Sequence, residues 1–168
     1  MRWLLYVVAA VAAPILVVVL IGLALPKAHR ATRMARFMQP PEAIFAAITG
    51  PQDWRPGITT EELASNGGPR RWRENSSHGW ITFEEAATDP PRHYRARIAD
   101  KNLPFSGTWT YEITPADGGC TCRITEEGEV YNPVFRFVSR FIIGNTRTID
   151  EYLNALGRKF DESVKIED

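Results

Sequence analysis

The chain has 168 residues, which is enough for one domain with a hydrophobic core and too few for most two-domain enzymes. Its 20 basic and 20 acidic side chains cancel, so it lacks the positive excess that binds a phosphate backbone, which argues against a nucleic-acid partner. Cys120 and Cys122 stand two residues apart, a spacing that cannot bring their sulfur atoms into disulfide geometry on a strand. We expect both to be reduced, apolar residues.

The first distinctive segment is Trp3 to Leu25, which is 23 residues long and has no charged side chain. As a helix it would extend roughly 34 Å, against a hydrocarbon core of about 30 Å. A cleaved signal peptide usually has an apolar stretch of only about 7 to 15 residues. The sequence therefore predicts an uncleaved transmembrane anchor in residues 1–26, with a cleaved signal peptide and a buried core helix as the alternatives.

Basic residues are unevenly distributed around this segment. Arg2 precedes it, and Lys27, Arg30, Arg33 and Arg36 follow it. Because loops rich in lysine and arginine stay on the cytoplasmic side, this asymmetry predicts a single-pass membrane protein whose remaining domain lies in the cytoplasm.

Residues 27–160 have the pattern of one folded domain. His29 to Gln39 is predicted to be a strand, and a short helix over Glu42 to Ile48 follows two prolines. Turn sequences rich in glycine, proline and asparagine then separate about six short segments, which we interpret as antiparallel strands. The alternation is clearest from Thr108 to Thr114, where Trp109 and Tyr111 share an apolar face.

The C-terminal part has helical periodicity. Apolar residues recur at spacings of three and four from Val134 to Phe160, which predicts one long amphipathic helix with a possible bend near Gly144. Residues 161–168 are interpreted as a solvated acidic tail. The element order indicates an α+β fold in which a curved antiparallel sheet wraps around the long C-terminal helix. A cavity lined by aromatic residues is expected between the sheet and that helix.

Several short sequence segments resemble those of a known group of proteins. They are residues 40–49 (PPEAIFAAIT), 54–57 (WRPG), 89–92 (DPPR), 107–112 (GTWTYE), and 124–129 (ITEEGE) followed by Asn132-Pro133. Together with the element order, they resemble the START-related, birch-pollen-allergen-like superfamily called SRPBCC, and specifically its polyketide cyclase/dehydrase-type branch. The resemblance covers about residues 28 to 160.

The resemblance implies a helix-grip fold with a cavity for lipids, sterols or other apolar small molecules. None of the matching phrases is a catalytic signature, and only some members of the superfamily are enzymes. The resemblance therefore supports a fold for this chain more strongly than it supports an activity. A membrane anchor is an addition to the minimal domain of that superfamily.

The residues expected to contact a ligand are Trp109, Tyr111, Glu126, Phe137 and Phe141. Glu126 is the first candidate for a catalytic role, because it shares a strand face with Cys122 and Ile124 and would carry a carboxylate into an apolar cavity. Desolvation there would raise its pKa. The alternative is a glutamate at a strand end that reaches water or pairs with an arginine such as Arg140.

The sequence indicates no metal or cofactor. His29, His78 and His93 do not have metal-ligand spacing, and the chain contains neither a glycine-rich phosphate loop nor a nucleophile elbow. Two classes of function remain, a membrane-anchored module that binds an apolar ligand and a cyclase-type enzyme that uses Glu126 or Tyr111 as acid or base. The binding module is preferred because no positioned acid and base pair can be named. Close clustering of Glu126, Tyr111 and a histidine around an open cavity would favour the enzyme.

Overall fold

The structure is a computed structural model that describes residues 2–65, 67–77 and 79–168. It contains four α-helices, α1 (Arg2–Ala24), α2 (Pro41–Thr49), α3 (Pro133–Val138) and α4 (Arg147–Lys159), and a π-helical turn (Ser139–Ile143). The strands are β1 (Ala28–Phe37), β2 (Thr59–Leu63), β3 (Arg71–Ser76), β4 (Gly79–Asp89), β5 (His93–Ile98), β6 (Phe105–Ala116), β7 (Gly119–Val130) and β8 (Ile166–Glu167).

The strands form one antiparallel sheet in the order β2-β3-β4-β5-β6-β7-β1-β8. The predicted first strand, the short helix and the six following strands are all present. One face of the sheet is apolar and packs against α2 and α4, which contribute Ile44, Ile48, Leu153 and Leu156 to the core. The predicted α+β class and helix-grip arrangement are therefore confirmed.

The C-terminal helix is not the single element that the periodicity predicts. The helix α3 ends in the π-helical turn, and Gly144 then adopts φ 82° and ψ 144°, a backbone conformation that only glycine adopts readily. This residue separates α3 from α4. The apolar spacing continues through the break although Phe141 and Ile142 before it are exposed, so in this segment the spacing shows neither burial nor backbone continuity.

The acidic C-terminal segment also differs from the expected solvated tail. Ile166 and Glu167 pair with Ala35 and Met34 as strand β8, at the edge of the sheet beside β1. Arg33 of β1 forms ion pairs with both Asp150 of α4 and Asp168. Residues 166–168 therefore cover the side of β1 that faces away from β7, and Asp168, one of the acidic residues that suggested a free tail, pairs with Arg33.

The predicted anchor segment is helical, as α1. Over the ranges that the structure describes, no helix has both the length and the apolar character needed to cross a bilayer, so a transmembrane helix is not supported. Most side chains described in α1 are exposed, including Val11, Ile15 and Leu20. Near its C-terminal end α1 packs against α3 so closely that a Cβ atom on Gly22 would overlap the backbone of Pro133.

Arg136 fastens α1 to the domain. Its guanidinium group is buried and donates hydrogen bonds to the carbonyl oxygens of Gly22 (2.9 Å) and Leu25 (3.2 Å) at the end of α1. It also donates to the carbonyl oxygens of Val130 and Tyr131, both at 3.0 Å. Carbonyl groups at a helix C-terminus lack partners within the helix, and a cation there also complements the helix dipole. One side chain therefore joins α1, the end of β7 and the beginning of α3.

Candidate functional site

The interior between the sheet and α4 is built from aromatic rings. Alternation along β6 directs Trp109 and Tyr111 toward α4, where Tyr152 faces them. The ring centre of Tyr152 lies 5.5 Å from that of Trp109 and 5.7 Å from that of Tyr111. Trp54, from the turn after α2, meets the Tyr152 ring edge-on at 5.3 Å. These distances are those of direct aromatic contact, so the rings fill the centre of the expected cavity.

Tyr152 also places a polar group in this interior. Its hydroxyl donates a hydrogen bond to Oε1 of Gln52 at 3.2 Å, and both side chains are buried. The amide nitrogen of Gln52 donates to backbone carbonyl oxygens at the end of α2, including that of Ile48 at 2.7 Å. The amide orientation is thereby fixed, and Gln52 holds the phenol of Tyr152 in place.

An ion pair borders the aromatic interior near Tyr152. Nη1 of Arg55 lies 2.7 Å from Oε2 of Glu74, and the guanidinium group stands 5.1 Å from the centre of the Tyr152 ring. The indole nitrogen of Trp72 donates to the other oxygen of the same carboxylate at 3.1 Å. Both oxygens of the Glu74 carboxylate are therefore engaged, one by Arg55 and the other by Trp72.

Burial keeps the phenols of the interior neutral. It raises the pKa of Tyr111 well above its ordinary range, and the neighbouring Tyr152 adds to this effect. It raises the pKa of Tyr152 in the same way, although the positive charge of Arg55 opposes part of the shift. At neutral pH both residues therefore offer hydroxyl groups that donate and accept hydrogen bonds, and neither supplies a phenolate base.

One end of the interior is polar and reaches solvent. Glu126 of β7 lies directly opposite Trp109 on one side and Ala31 on the other, which confirms that it shares the inner face of the sheet. Its Oε1 is 3.6 Å from Nε2 of His29, and the two side chains are 20% and 19% exposed. The ring of His29 lies over Gly128, where a Cβ atom would collide with it. We call His29, Trp109 and Glu126 the polar end of the interior.

The other two predicted ligand contacts lie elsewhere. Phe137 and Phe141 pack on each other with ring centres 5.0 Å apart, in α3 and the π-helical turn. Phe141 is 60% exposed and makes no ring contact with Trp109, Tyr111 or Tyr152 within the described residues. Arg140, the arginine considered as a partner of Glu126, is exposed, and Glu126 instead faces His29.

Sequence reasoning missed Tyr152, Gln52 and His29 as parts of this site. The helical spacing places Tyr152 on the apolar face of its helix, but it does not show which strand residues that face meets. His29 stands opposite Gly128 because of the register between β1 and β7, which are about ninety residues apart in sequence. Only the alternation on β1, which places His29 on the same face as Ala31, gives a local signal.

Both cysteines are free and lie on the inner face of β7, as expected. Burial raises the pKa of Cys120 to about 11 and that of Cys122 further, so neither is a thiolate at neutral pH. No cluster of three potential metal ligands occurs over residues 2–65, 67–77 and 79–168. His78 lies outside these ranges.

A groove lies at the same end of the sheet as His29, which is one of its lining residues. It has a volume of about 660 Å³, and its outward-facing side chains include Arg30, Arg97, Thr108 and Glu127. These residues alternate with those of the apolar face, so the groove lies mainly on the outer side of the strands and meets the polar end of the interior at His29.

Comparison with known protein families connects this architecture to one of them. Residues 28–161 match the family described as polyketide cyclase / dehydrase and lipid transport. The chain belongs to this family. The matched range begins at the first residue of β1 and ends just after α4. It leaves out α1, as the resemblance in sequence indicated. Comparison with curated proteins gives no match.

Solved structures show the same fold at low sequence identity. Norcoclaurine synthase from Thalictrum flavum is 12% identical with a TM-score of 0.61, over 81% of this chain and 88% of that chain. Protein MLL2253 from Mesorhizobium loti is 15% identical with a TM-score of 0.59, over 79% and 97%. Ara h 8.0201 is 16% identical with a TM-score of 0.56, over 80% and 99%. At this identity these similarities show a shared fold and nothing more. Together with the family match, that fold supports the SRPBCC superfamily.

Proposed function

We propose that this member of the polyketide cyclase / dehydrase and lipid transport family is a membrane-attached module that binds an apolar small molecule between the sheet and α4. The observation that carries the proposal is the polar end of the interior, where the half-buried ring of Trp109 and the pair His29 and Glu126 reach solvent. An apolar body can contact the exposed part of the Trp109 ring, which the buried rings of Tyr111 and Tyr152 support from behind. Small-molecule sites commonly combine an apolar lining with a few placed polar groups.

The polar end also indicates the chemistry of the ligand head. The Glu126 carboxylate accepts hydrogen bonds, and an imidazole such as that of His29 can either donate or accept one. A hydroxyl group satisfies both residues at once, because it can donate to the carboxylate and accept from the imidazole. The ligand class is therefore an apolar molecule with one hydroxyl group, such as a sterol or a fatty alcohol. Trp109 and Glu126 are its proposed contacts on the sheet, and Tyr111 supports the Trp109 ring from the buried side.

Ligand binding is tested on the full-length protein in detergent. Native mass spectrometry of the purified protein should show an additional mass that organic extraction removes. Sterols and fatty alcohols added to the extracted protein should raise its melting temperature and change its tryptophan fluorescence. Trp109→Ala should abolish the shift, whereas Trp80→Ala, which removes an exposed ring stacked with Arg73, should retain it. Equal shifts in both variants would contradict binding at the polar end.

Membrane attachment through α1 is the second part of the proposal. It is supported by the absence of charge from Trp3 to Leu25 and by the exposed apolar side chains along the helix. Exposed apolar surface on this scale indicates an interaction site. The full-length protein should float with lipid vesicles in a density gradient. Val11→Glu combined with Ile15→Glu changes two exposed positions and should release it, and flotation of this variant would contradict attachment through α1.

The side of the membrane follows from the basic residues after α1. Lys27 and Arg30, both exposed, favour a cytoplasmic domain under the positive-inside rule. Protease added to right-side-out membranes should leave the domain intact and should digest it after the membranes are opened. Digestion before opening would place the domain on the other side.

An enzyme is the second candidate function, and the distance between His29 and Glu126 favours it. A carboxylate and an imidazole 3.6 Å apart can exchange roles as acid and base when a ligand brings them closer. Binding is preferred because Tyr111, the other proposed acid or base, is buried, with the rings of Trp109 and Tyr152 against it. Glu126→Gln conserves size and should weaken binding of the hydroxyl ligand. A ligand that is chemically changed by the original protein and left unchanged by this variant would establish the enzyme.

A further inference from the structure

A second apolar surface lies beside the end of α1. It consists of Val134 and Phe135 from α3 with Phe141 and Ile142 from the π-helical turn, and we call it the α3 surface. Phe135, Phe141 and Ile142 are 50%, 60% and 69% exposed. Three exposed large apolar side chains within eight residues are unusual on a protein surface that faces only water.

The position of this surface is set by α1. Pro133 contacts α1 at Gly22, two residues before the last residue of the helix, and Arg136 binds carbonyl oxygens at Gly22 and Leu25. The two elements cannot separate without losing these hydrogen bonds. A bilayer that holds α1 is therefore adjacent to α3.

The charges around the surface fit an anionic lipid headgroup. From Asn132 to Ile149 the sequence contains three arginines and no acidic residue. Arg136 is committed to backbone carbonyl groups, and Arg147 pairs with Glu151. Arg140 is exposed and directly precedes Phe141 in the chain, and Lys27 is exposed just after the end of α1. Apolar side chains that are interspersed with cations are typical of segments that lie in the membrane interface.

The polar end of the interior lies toward the same side of the domain. Glu126 is four residues from Val130, the last residue of β7, which corresponds to roughly 13 Å along a strand. The backbone nitrogen of Val130 donates to the carbonyl oxygen of Lys27 at 2.9 Å, so the end of β7 lies beside the residues that follow α1. When the α3 surface lies on a lipid bilayer, the polar end of the interior is therefore close to that bilayer.

We propose that the α3 surface rests in the interface of an anionic lipid bilayer, so that the domain is held at two places and its polar end faces the source of an apolar ligand. This inference rests on the proposed attachment through α1 and identifies the second contact.

The test places a fluorescent label on the surface of the full-length protein. Phe141→Cys and Ile142→Cys introduce exposed thiols, while Cys120 and Cys122 are fully buried and are not labelled in the folded protein. Arg158→Cys, at an exposed position in the last turn of α4, is the matched control. Each labelled protein is added to vesicles of phosphatidylglycerol and brominated phosphatidylcholine, and flotation is measured on the same samples.

The proposal expects bromine to quench the labels at 141 and 142 by about twofold or more, and to leave the label at 158 nearly unchanged, because bromine acts only at short range within the bilayer. Arg140→Glu should reduce the quenching at 142, and neutral vesicles should reduce it as well. Flotation without quenching at 141 and 142 overturns this inference and leaves the attachment through α1 intact. Failure to float overturns both. Labels that are already shielded without lipid, in proportion to protein concentration, would assign the surface to a second copy of the chain and also overturn it.

Discussion

Nη1 of Arg136 lies 2.9 Å from the carbonyl oxygen of Gly22, although the two residues are 114 positions apart in the chain. The guanidinium group spans four carbonyl oxygens from two different segments. Arginine is suited to this role because its planar group carries five donors and remains charged in every environment of a protein.

Arg136→Met should lower the free energy of unfolding by about 2 to 4 kcal/mol, because the variant leaves buried carbonyl groups without a donor. Urea unfolding of the full-length protein in detergent measures the change. Arg140→Met is the control, since its exposed side chain should cost less than about 0.5 kcal/mol. The first turn of α3 should also exchange its amide hydrogens faster in the Arg136 variant. Equal stabilities of the two variants would show that Arg136 does not fasten α1.

Tyr152→Phe should destabilise the protein by about 1 to 3 kcal/mol, because it leaves the buried carbonyl oxygen of Gln52 without its hydrogen bond. The ring contacts with Trp109 and Trp54 are retained in this variant. Tyr131→Phe removes an exposed hydroxyl that donates to Ser106 and should cost less than about 0.5 kcal/mol. Thermal and urea unfolding of both variants measure the difference, and a loss in Tyr131→Phe as large as that in Tyr152→Phe would be inconsistent with a buried hydrogen bond at Gln52.

Alkaline pH should weaken the fold. Burial raises the pKa of Tyr94 to about 12 from an ordinary value of 10.0, and the pKa values of Tyr111 and Tyr152 also rise. Between pH 10 and 12 the unfolded chain loses phenolic protons that the folded chain keeps, so the free energy of unfolding falls as pH rises. Below the ordinary pKa this contribution to stability is fully retained.

The slope of that decrease is limited to about 1.4 kcal/mol per pH unit for each titrating group. Tyr152→Phe removes one such group, and its free energy of unfolding should therefore fall less steeply with pH than that of the original protein. Urea titrations at pH 8, 10 and 11 measure both slopes, because pH 8 lies below the ordinary pKa of tyrosine and pH 10 and 11 lie in the range where the unfolded chain loses its phenolic protons. A stability that is constant to pH 11 would contradict the raised pKa values.

The cysteines should be unreactive in the folded protein. Cys120 and Cys122 have no exposed area, and burial raises the pKa of both thiols, so the reactive thiolate is scarce at pH 8. A thiol reagent should modify neither residue in native buffer and both in denaturant. Rapid modification of the native protein would mean that β7 opens readily, and it would also remove the basis for selective labelling at position 141.

The sheet was predictable from sequence because its evidence is local. Trp109, Tyr111 and Ile113 alternate with polar residues, and glycine and proline mark the turns between strands. The family resemblance then supplied the position of the C-terminal helix relative to the sheet. Both kinds of evidence were sufficient for the α+β class and for the inner face of β6 and β7.

The site required contacts between distant segments. The pair His29 and Glu126 depends on a strand register, and the contact of Tyr152 with Trp109 depends on the rotation of α4 against the sheet. The spacing of apolar residues along the sequence shows neither the strand register nor the rotation of α4. Phe137 and Phe141 continue the apolar spacing of α4, but the break at Gly144 places them on a different surface. The edge strand β8 was missed because a two-residue strand has no alternation to detect.

The break at Gly144 divides the C-terminal region mechanically. On one side, α4 is locked into the core through Ile149, Leu153 and Leu156, and on the other, α3 is bound to α1 through Arg136. We therefore expect a displacement of α1 to move α3 through the Arg136 hydrogen bonds and to be taken up at the backbone of Gly144. The helix α4, which holds the aromatic interior together, would keep its place.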